Sequence, residues 1–341
     1  MTARLTTCLI TGIGGLILAG PVQEANAVAY GRAYNAVLLR TNLSTLPGFI
    51  PGTPSSFSEA DYDGQLIGGG GAGVQDAPPS CLGQECPQPN NNFGFVGPGT
   101  GEKFGRGDAR FLQINALGIG SQALAEANAF DLNLGASGGG TNVFSTSFSI
   151  ETPLEASFDL TATPFLQYLA SGTSSEPAFA QVQIALSVTL TRDNPSGPDE
   201  IVFDWEPDGA GSVGGTLGGL VLADPYSLNL LLTHNAPPDK NDLYNPLGLT
   251  GRELSPLEVD VYFGVICGVD DTIVSSGRVL PPPGCQWRAQ SLLLPAGNYT
   301  LSFSNQARVL VRDAIVPEPA SISLLLLGLA GLGMTKRRKA Y

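Results

Sequence analysis

Strict alternation of apolar and polar residues is the main pattern in the chain after residue 104. The clearest example places one apolar face on a single segment, made of Val182, Ile184, Leu186, Val188 and Leu190. A period of two residues indicates a half-buried β-strand. The same pattern predicts strands in residues 144–150, 158–162, 228–232 and 299–303, and clusters of Pro, Gly, Asn and Asp separate them as turns.

Two other segments complete the prediction of secondary structure. Residues 28–43 have a strand-like pattern. Residues 122–130 fit either a helix or a strand with a small-residue face, because alanine recurs at every second position from Ala123 to Ala129. We therefore expect an all-β protein, a two-sheet antiparallel sandwich that is jelly-roll-like and has long loops rich in Gly and Pro.

Residues 47–101 differ from the rest because they are rich in Gly and Pro and contain no Lys or Arg. Glycine costs backbone entropy and proline lacks a backbone donor, so this composition argues against a helix or a central strand. The sequence therefore predicts an irregular, loop-rich excursion over residues 47–101, within a body that spans residues 28–315.

The overall composition narrows the class of protein. Of 341 residues, 44 are Gly and 26 are Pro, while 43% are hydrophobic and only 14% are charged. This composition disfavours both a long helical protein and a disordered chain. The net charge is −13, and such a surface repels phosphate, so nucleic acid is excluded as a partner.

The first 27 residues have the three parts of a secretory signal peptide. Arg4 lies in a charged start, an apolar stretch follows, and Ala25 and Ala27 form a small-x-small cleavage site. The apolar stretch is short and contains three glycines, which argues against a permanent anchor. We expect the export machinery to act on residues 1–27 and the mature chain to begin at Val28.

The last 26 residues contain a second signal. Its parts are an acidic motif between prolines, an almost uncharged run and a basic cluster: Pro317, Glu318, Pro319, then residues 320–334, then Lys336, Arg337, Arg338 and Lys339. As a helix, the 15 residues 320–334 span about 22 Å, less than the hydrocarbon core of about 30 Å. The basic cluster stays on the cytoplasmic side, so we expect a short apolar helix that inserts transiently into the membrane.

This pattern over residues 316–341 resembles the PEP-CTERM sorting signal of Gram-negative bacteria. The resemblance implies recognition by an exosortase, which is a polytopic membrane protease, followed by removal of the tail and delivery to the cell surface or the extracellular matrix. The alternative is a tail that is retained as an anchor. Parts of the body also resemble exosortase-dependent surface proteins, which implies a surface location and no established enzymatic activity; these are residues 105–109, 158–164, 203–209, 224–229 and 295–301.

Four of the five cysteines lie outside the predicted signal peptide. An even number of cysteines in an exported chain favours disulfides, and proximity favours Cys81–Cys86 and Cys267–Cys285 over the other two pairings. The alternative is a four-thiolate metal site, which would need unusual spacing because His234 is the only histidine in the chain.

Two motifs have weak catalytic or metal-binding character. Residues 135–139 match the G-x-S-x-G nucleophile elbow around Ser137, but no helix is predicted after them, so we expect a flexible turn there and a loop at His234. Asp204, Glu206 and Asp208 resemble the start of a calcium loop, although Gly215 stands where an acidic ligand is required. We expect these carboxylates to cap turns instead. The pairs Asp61/Asp63 and Asp270/Asp271 are weaker candidates.

Together these features predict a non-enzymatic exported protein of the cell surface or extracellular matrix, with no catalytic residue and no cofactor, associated with exopolysaccharide or biofilm. Trp205, Tyr226 and Trp287 are candidates for contact with polysaccharide, and burial in the core is the alternative for them. Two other functions stay open: a calcium-assisted carbohydrate-binding module, and a glycan hydrolase that acts through two carboxylates.

Overall fold

The computed structural model describes residues 28–46, 49, 52–83, 86, 93, 103–115, 118–129, 135–171, 178–224, 227–235, 260–261 and 286–312. Within these residues the chain forms strands in two antiparallel sheets, and one short 3-10 helix, Asn42–Thr45. The prediction of an all-β protein with two antiparallel sheets is therefore confirmed. The predicted signal peptide and C-terminal helix lie outside the described residues.

The first sheet, sheet A, contains eight of the described strands. Numbered in chain order, they are β1 (Val28–Thr41), β4 (Ser80–Gly83), β5 (Phe104–Asn115), β6 (Gly118–Ala129), β8 (Ser157–Ser171), β11 (Gly219–Ala223), β13 (Asp260–Val261) and β14 (Gln286–Ser291). Their spatial order is β11-β14-β8-β1-β6-β5-β4, and β13 pairs with β8.

The second sheet, sheet B, contains the other seven described strands. They are β2 (Thr53–Tyr62), β3 (Gln65–Ala72), β7 (Gly135–Ile150), β9 (Phe179–Arg192), β10 (Glu200–Trp205), β12 (Leu230–Asn235) and β15 (Gly297–Arg312). Their order is β10-β9-β15-β7-β2-β3, and β12 pairs with β9. The last long strand, β15, lies between β7 and β9; it pairs with β7 along its whole length and with β9 from Tyr299 to Arg312.

The core between the sheets has a thick half and a thin half. The thick half is filled by large side chains, including Trp205, Trp287 and the stacked rings of Phe158 and Phe203, whose centroids are 4.8 Å apart. The thin half is lined mostly by alanine, valine and leucine, with Ala123, Ala125 and Ala127 on one face of β6. Because small side chains need less space, the two sheets lie closer together in the thin half.

The closest approach between the sheets occurs at glycines. A Cβ atom built on Gly105 or Gly107 of β5, or on Gly138 or Gly140 of β7, would lie closer than 3.0 Å to main-chain oxygen of the facing sheet. Face-to-face sheets normally lie about 10 Å apart because side chains separate them. Here the two main chains are in contact, and only glycine fits at these four positions.

A row of hydrogen-bonded polar side chains crosses the core between the two halves. Asn35 Nδ2 donates to Asn305 Oδ1 at 3.0 Å, and Asn305 Nδ2 donates to Ser121 Oγ at 2.9 Å. On neighbouring strands, Ser56 Oγ donates to Asn142 Oδ1 at 2.7 Å. All five residues are buried. Buried polar groups need partners, so this row favours one alignment of sheet A on sheet B.

Two predictions of local structure need correction or completion. The irregular excursion over residues 47–101 is wrong in part, because β2, β3 and β4 lie within it and β2 is an interior strand of sheet B. The glycine run 68–71 forms part of β3 and pairs with Ser56–Glu59 of β2, so pairing outweighs the low strand propensity of glycine. Residues 122–129 are a strand rather than a helix.

The close approach of the sheets predicts a large effect of one added methyl group. Gly138→Ala should lower the free energy of unfolding by about 3 kcal/mol or more, because the new Cβ would overlap the main chain of β5. Urea unfolding followed by tryptophan fluorescence measures this loss.

The control is Gly135→Ala on the same strand, where a Cβ would lie 3.6 Å from its nearest neighbour. That variant should change the free energy of unfolding by less than about 1 kcal/mol. Equal losses from both substitutions would contradict the proposed contact between main chains.

Candidate functional site

Many of the residues singled out in the sequence lie outside the described part of the chain, including those of both terminal signals. These are Ala25, Ala27, Pro317, Glu318, Pro319, Lys336, Arg337, Arg338, Lys339, Cys267, Cys285, Tyr226, Asp270 and Asp271. In the described part, no helix has the length and apolar character needed to cross a membrane.

The structure links Cys81 and Cys86 in a disulfide. Their Cα atoms are 5.8 Å apart, within the usual range for a disulfide. Cys81 lies in β4, the edge strand of sheet A, opposite Arg106 of β5. The bond therefore holds the chain after β4 against the edge of this sheet.

The carboxylates of the calcium-like loop interact with the protein itself. Asp204 Oδ1 accepts a hydrogen bond from Thr189 Oγ1 at 3.0 Å, and Asp208 Oδ1 accepts one from the main chain of Ala210 at 2.8 Å. Glu206 is exposed. The structure does not gather these three residues into a group of His, Cys, Asp or Glu suited to a metal ion, and no such group occurs among the described residues.

Asp224, which the sequence did not single out as a site residue, organises the same loop. Its Oδ2 atom accepts hydrogen bonds from the main-chain N–H groups of Gly209 at 3.1 Å and Gly211 at 3.4 Å. Burial raises the pKa of its carboxyl group above the ordinary value. The loop after β10 is thus held by a carboxylate that follows Gly209 by 15 residues and Gly211 by 13 residues, a spacing that matches no motif in the sequence.

The aromatic candidates for polysaccharide contact are core residues where the structure describes them. Trp205 and Trp287 are both fully buried in the thick half of the core. Their predicted alternative, burial, is correct, and neither ring is available to a ligand at the surface.

Two weak catalytic candidates lie in strands. Ser137 of the G-x-S-x-G match is part of β7, which continues without interruption from Gly135 to Ile150, so the expected flexible turn is wrong. His234, expected in a loop, pairs with Ala180 as part of β12. Strand pairing explains both corrections. The glycine-rich segment around Ser137 pairs with β15, and the segment that contains His234 pairs with β9, so each has main-chain hydrogen-bond partners.

A charged cluster lies on the outer face of sheet A, and it consists of Tyr30, Arg106, Asp108 and Glu126. Arg106 Nη2 donates to Asp108 Oδ2 at 2.6 Å, and Arg106 Nη1 lies 3.9 Å from Glu126 Oε2. Tyr30 donates its hydroxyl hydrogen to Glu126 Oε1 at 2.6 Å. These side chains are at most 3% exposed. The cluster joins β1, β6 and β5 through their side chains.

Burial dominates the electrostatics of this cluster. It raises the pKa of Asp108, although the neighbouring Arg106 opposes the shift. It also raises the pKa of the Tyr30 hydroxyl, and the nearby Glu126 carboxylate adds to that rise. Tyr30 therefore stays protonated as a donor. Because these groups are closed off from solvent, their arrangement is suited to holding strands together.

Aromatic contacts lie beside the cluster on the outer face of sheet A. The Phe93 ring meets Tyr34 edge-on with centroids 6.5 Å apart, and the Arg110 guanidinium lies 4.5 Å from the Phe93 ring centroid. Arg32 lies on β1 like Tyr34, and its guanidinium is 4.3 Å from the ring centroid of Phe165 on the neighbouring strand β8. Cations over ring faces are favourable, more so when desolvated. These contacts keep the outer face of sheet A closed.

The outer face of sheet B is open and carries a shallow groove of about 380 Å³ beside the edge strand β3. One wall is formed by Phe57 and Glu59. Together with Asp61 they form the Phe57 ridge, three residues that point outward from β2 at alternate positions. Gly68, Gly70, Gly139 and Thr141 are also part of the lining. This groove combines an exposed ring with polar groups, and no motif in the sequence predicts it.

The buried ion pair predicts a strong effect of removing its cation. Arg106→Met should lower the free energy of unfolding by about 3–5 kcal/mol at pH 7, because the Asp108 carboxylate would stay buried without its partner. An acid with a raised pKa in the folded state binds its proton more tightly there than in the unfolded chain, so the loss should shrink as the pH falls from about 7 to 4.

The matched control is Arg288→Met, which breaks the ion pair with Asp159 at 3.1 Å on the surface, where the two side chains are 52% and 61% exposed. It should cost at most about 1 kcal/mol at either pH. Denaturant titrations at both pH values measure these changes, and a loss for Arg106→Met no larger than for the control would contradict this view of the cluster.

Comparisons with known proteins give one match, at the C-terminus. The family model for the PEP-CTERM protein-sorting motif matches residues 316–339. The chain matches none of the curated proteins and none of the solved structures. The matched segment includes the proline-flanked acidic motif, the apolar run and the basic cluster. The chain therefore carries a PEP-CTERM sorting motif, which indicates an exported protein that is sorted to the surface by an exosortase-type enzyme.

Proposed function

We propose that this chain is a non-enzymatic protein of the extracellular matrix, associated with exopolysaccharide or biofilm after an exosortase has removed its tail. The observation that carries the proposal is the motif at residues 316–339. The body before it would cross the inner membrane with the signal peptide, and Lys336 to Lys339 would hold the tail until it is cut. The β body would then act outside the cell.

The features of the body support a binding or structural role over catalysis. The charged cluster of sheet A is buried, with Asp108 and Glu126 both at 0% exposure. A glycan hydrolase needs two carboxylates that flank its substrate, and these two flank an arginine in the interior instead. The outer face of sheet B, in contrast, offers polar side chains and an open groove.

The composition also suits a soluble matrix component. Residues 28–315 hold 12 basic and 28 acidic side chains, a net charge of −16. Net charge far from zero keeps protein molecules apart in solution. After loss of the tail and its four basic residues, the protein would remain soluble and would reach the matrix by binding rather than by precipitation.

The sorting step predicts a specific cut. Mass spectrometry of the protein released from its host should find no peptide that extends through residues 324–339, because cleavage near Pro317–Pro319 would leave that part in the membrane. Replacing Pro317, Glu318 and Pro319 together by alanine should abolish the cut and leave the full-length chain in the membrane fraction.

The matched control replaces Pro281, Pro282 and Pro283 by alanine, which changes a second proline-rich segment of the same chain. That variant should be processed like the natural protein. Released protein that still carries residues 324–339 would refute removal of the tail. If the natural chain were instead found uncut in the membrane fraction, the tail would be a retained anchor.

A further inference from the structure

Phe57 and Glu59 of the Phe57 ridge stand between small or short residues on the outer face of sheet B, while Asp61 is opposite Leu66 of β3 and Ser137 of β7. In the pairing register, Phe57 is opposite Gly70 of β3 and Thr141 of β7, and Glu59 is opposite Gly68 and Gly139. Directly paired residues point to the same face of a sheet. Three of these four neighbours have no side chain, so Phe57 and Glu59 rise above the residues paired with them.

Glycine neighbours leave the ring of Phe57 accessible. The residue is 44% exposed although it lies on an interior strand of sheet B. At the paired position on β3, Gly70 has φ +110° and any Cβ there would overlap the main chain of Ser56, so glycine is required. The edge strand cannot place a side chain over this face of the ring, and the ring is free for a flat ligand.

Polar groups lie beside the ring at the right spacing for a sugar. Glu59 is two residues from Phe57 on the same face, a distance of about 7 Å along the strand. Its carboxylate lies over Gly139, where an added Cβ would be 2.6 Å from Glu59 Oε1. Glu59 is exposed and has no ion-pair or hydrogen-bond partner among the described residues. Thr141 adds a hydroxyl to the same groove.

The chemistry of these groups selects the class of ligand. A pyranose ring has a flat face of C–H groups that packs on an aromatic ring, and hydroxyls at its edge that a carboxylate and a hydroxyl can bind. An acidic polysaccharide is disfavoured because Glu59 and Asp61 lie on the ridge and the chain has a net charge of −13. A neutral polysaccharide matches the ring, the acceptor and the charge.

We propose that the Phe57 groove on the outer face of sheet B is a binding site for a neutral polysaccharide, in which Phe57 stacks on a sugar ring and Glu59 accepts hydrogen bonds from its hydroxyls. This inference rests on the proposed function, since it names the surface and the ligand class for association with the matrix. A single stacked ring gives modest affinity, and a polymer with many equivalent sugars compensates through repeated binding.

The test is native affinity electrophoresis of the protein released from its host, in gels that contain hydroxyethyl cellulose, dextran or galactomannan as neutral polymers, or alginate as an acidic one. At least one neutral polymer should retard the natural protein, and alginate should not. Phe57→Ala should lower this retardation at least fivefold, while Phe57→Trp should keep it. Thermal melting should show that both variants are folded, because the ring is at the surface.

The matched control is Leu231→Ala, which removes another exposed apolar side chain, 54% accessible, from β12 of the same sheet. It should not change the retardation. If Phe57→Ala is retarded like the natural protein, the groove is not the site, while association with polysaccharide stands. If only alginate retards the protein, or no polymer does, the groove proposal is overturned; processing of the tail, measured separately, then decides whether sorting to the surface still holds.

Discussion

The contact between the two main chains at Gly105, Gly107, Gly138 and Gly140 is the constraint on which the rest of this structure depends. Sheets in a sandwich are ordinarily held apart by side chains, and here the side chains are absent on both sides. Such a contact fixes the distance between the two sheets at this point and leaves little freedom for one sheet to slide over the other. The aromatic half of the core must then fill the space that opens as the sheets diverge from this contact.

The same constraint decides where charge is placed. On β5, glycines at positions 105 and 107 face the other sheet, so Arg106 and Asp108 must face outward at the alternate positions. Glu126 of β6 is directly opposite Arg106 in the register. The outer face of sheet A therefore holds the polar and charged residues that the narrow interior excludes. Their burial requires close pairing, which the ion pairs of the cluster and the contact of Arg110 with Phe93 supply.

The sequence pattern predicted the strands and motifs that depend only on residues close together in the chain. Strands such as β9 and β15 alternate cleanly because each has one face toward the apolar core and the other away from it, and the sorting motif is contiguous in sequence. The strands within residues 53–83 were missed because the segment as a whole is rich in Gly and Pro, which have low strand propensity. Their place is set by partners distant in the chain, such as β7 beside β2. The charged cluster was missed for a related reason, since Tyr30 and Glu126 are 96 residues apart.

The glycine run 138–140 shows how one short segment can serve both faces of a sheet. Gly138 and Gly140 point inward and allow β5 to approach, while Gly139 between them points outward, where Glu59 lies over it. A residue larger than glycine at 138 or 140 would push the sheets apart, and at 139 it would displace the carboxylate of the Phe57 ridge. Sequence alone suggests a flexible turn for such a run. In the folded chain each glycine is required by a different neighbour, so the close packing of the core and the open groove at the surface depend on the same three residues.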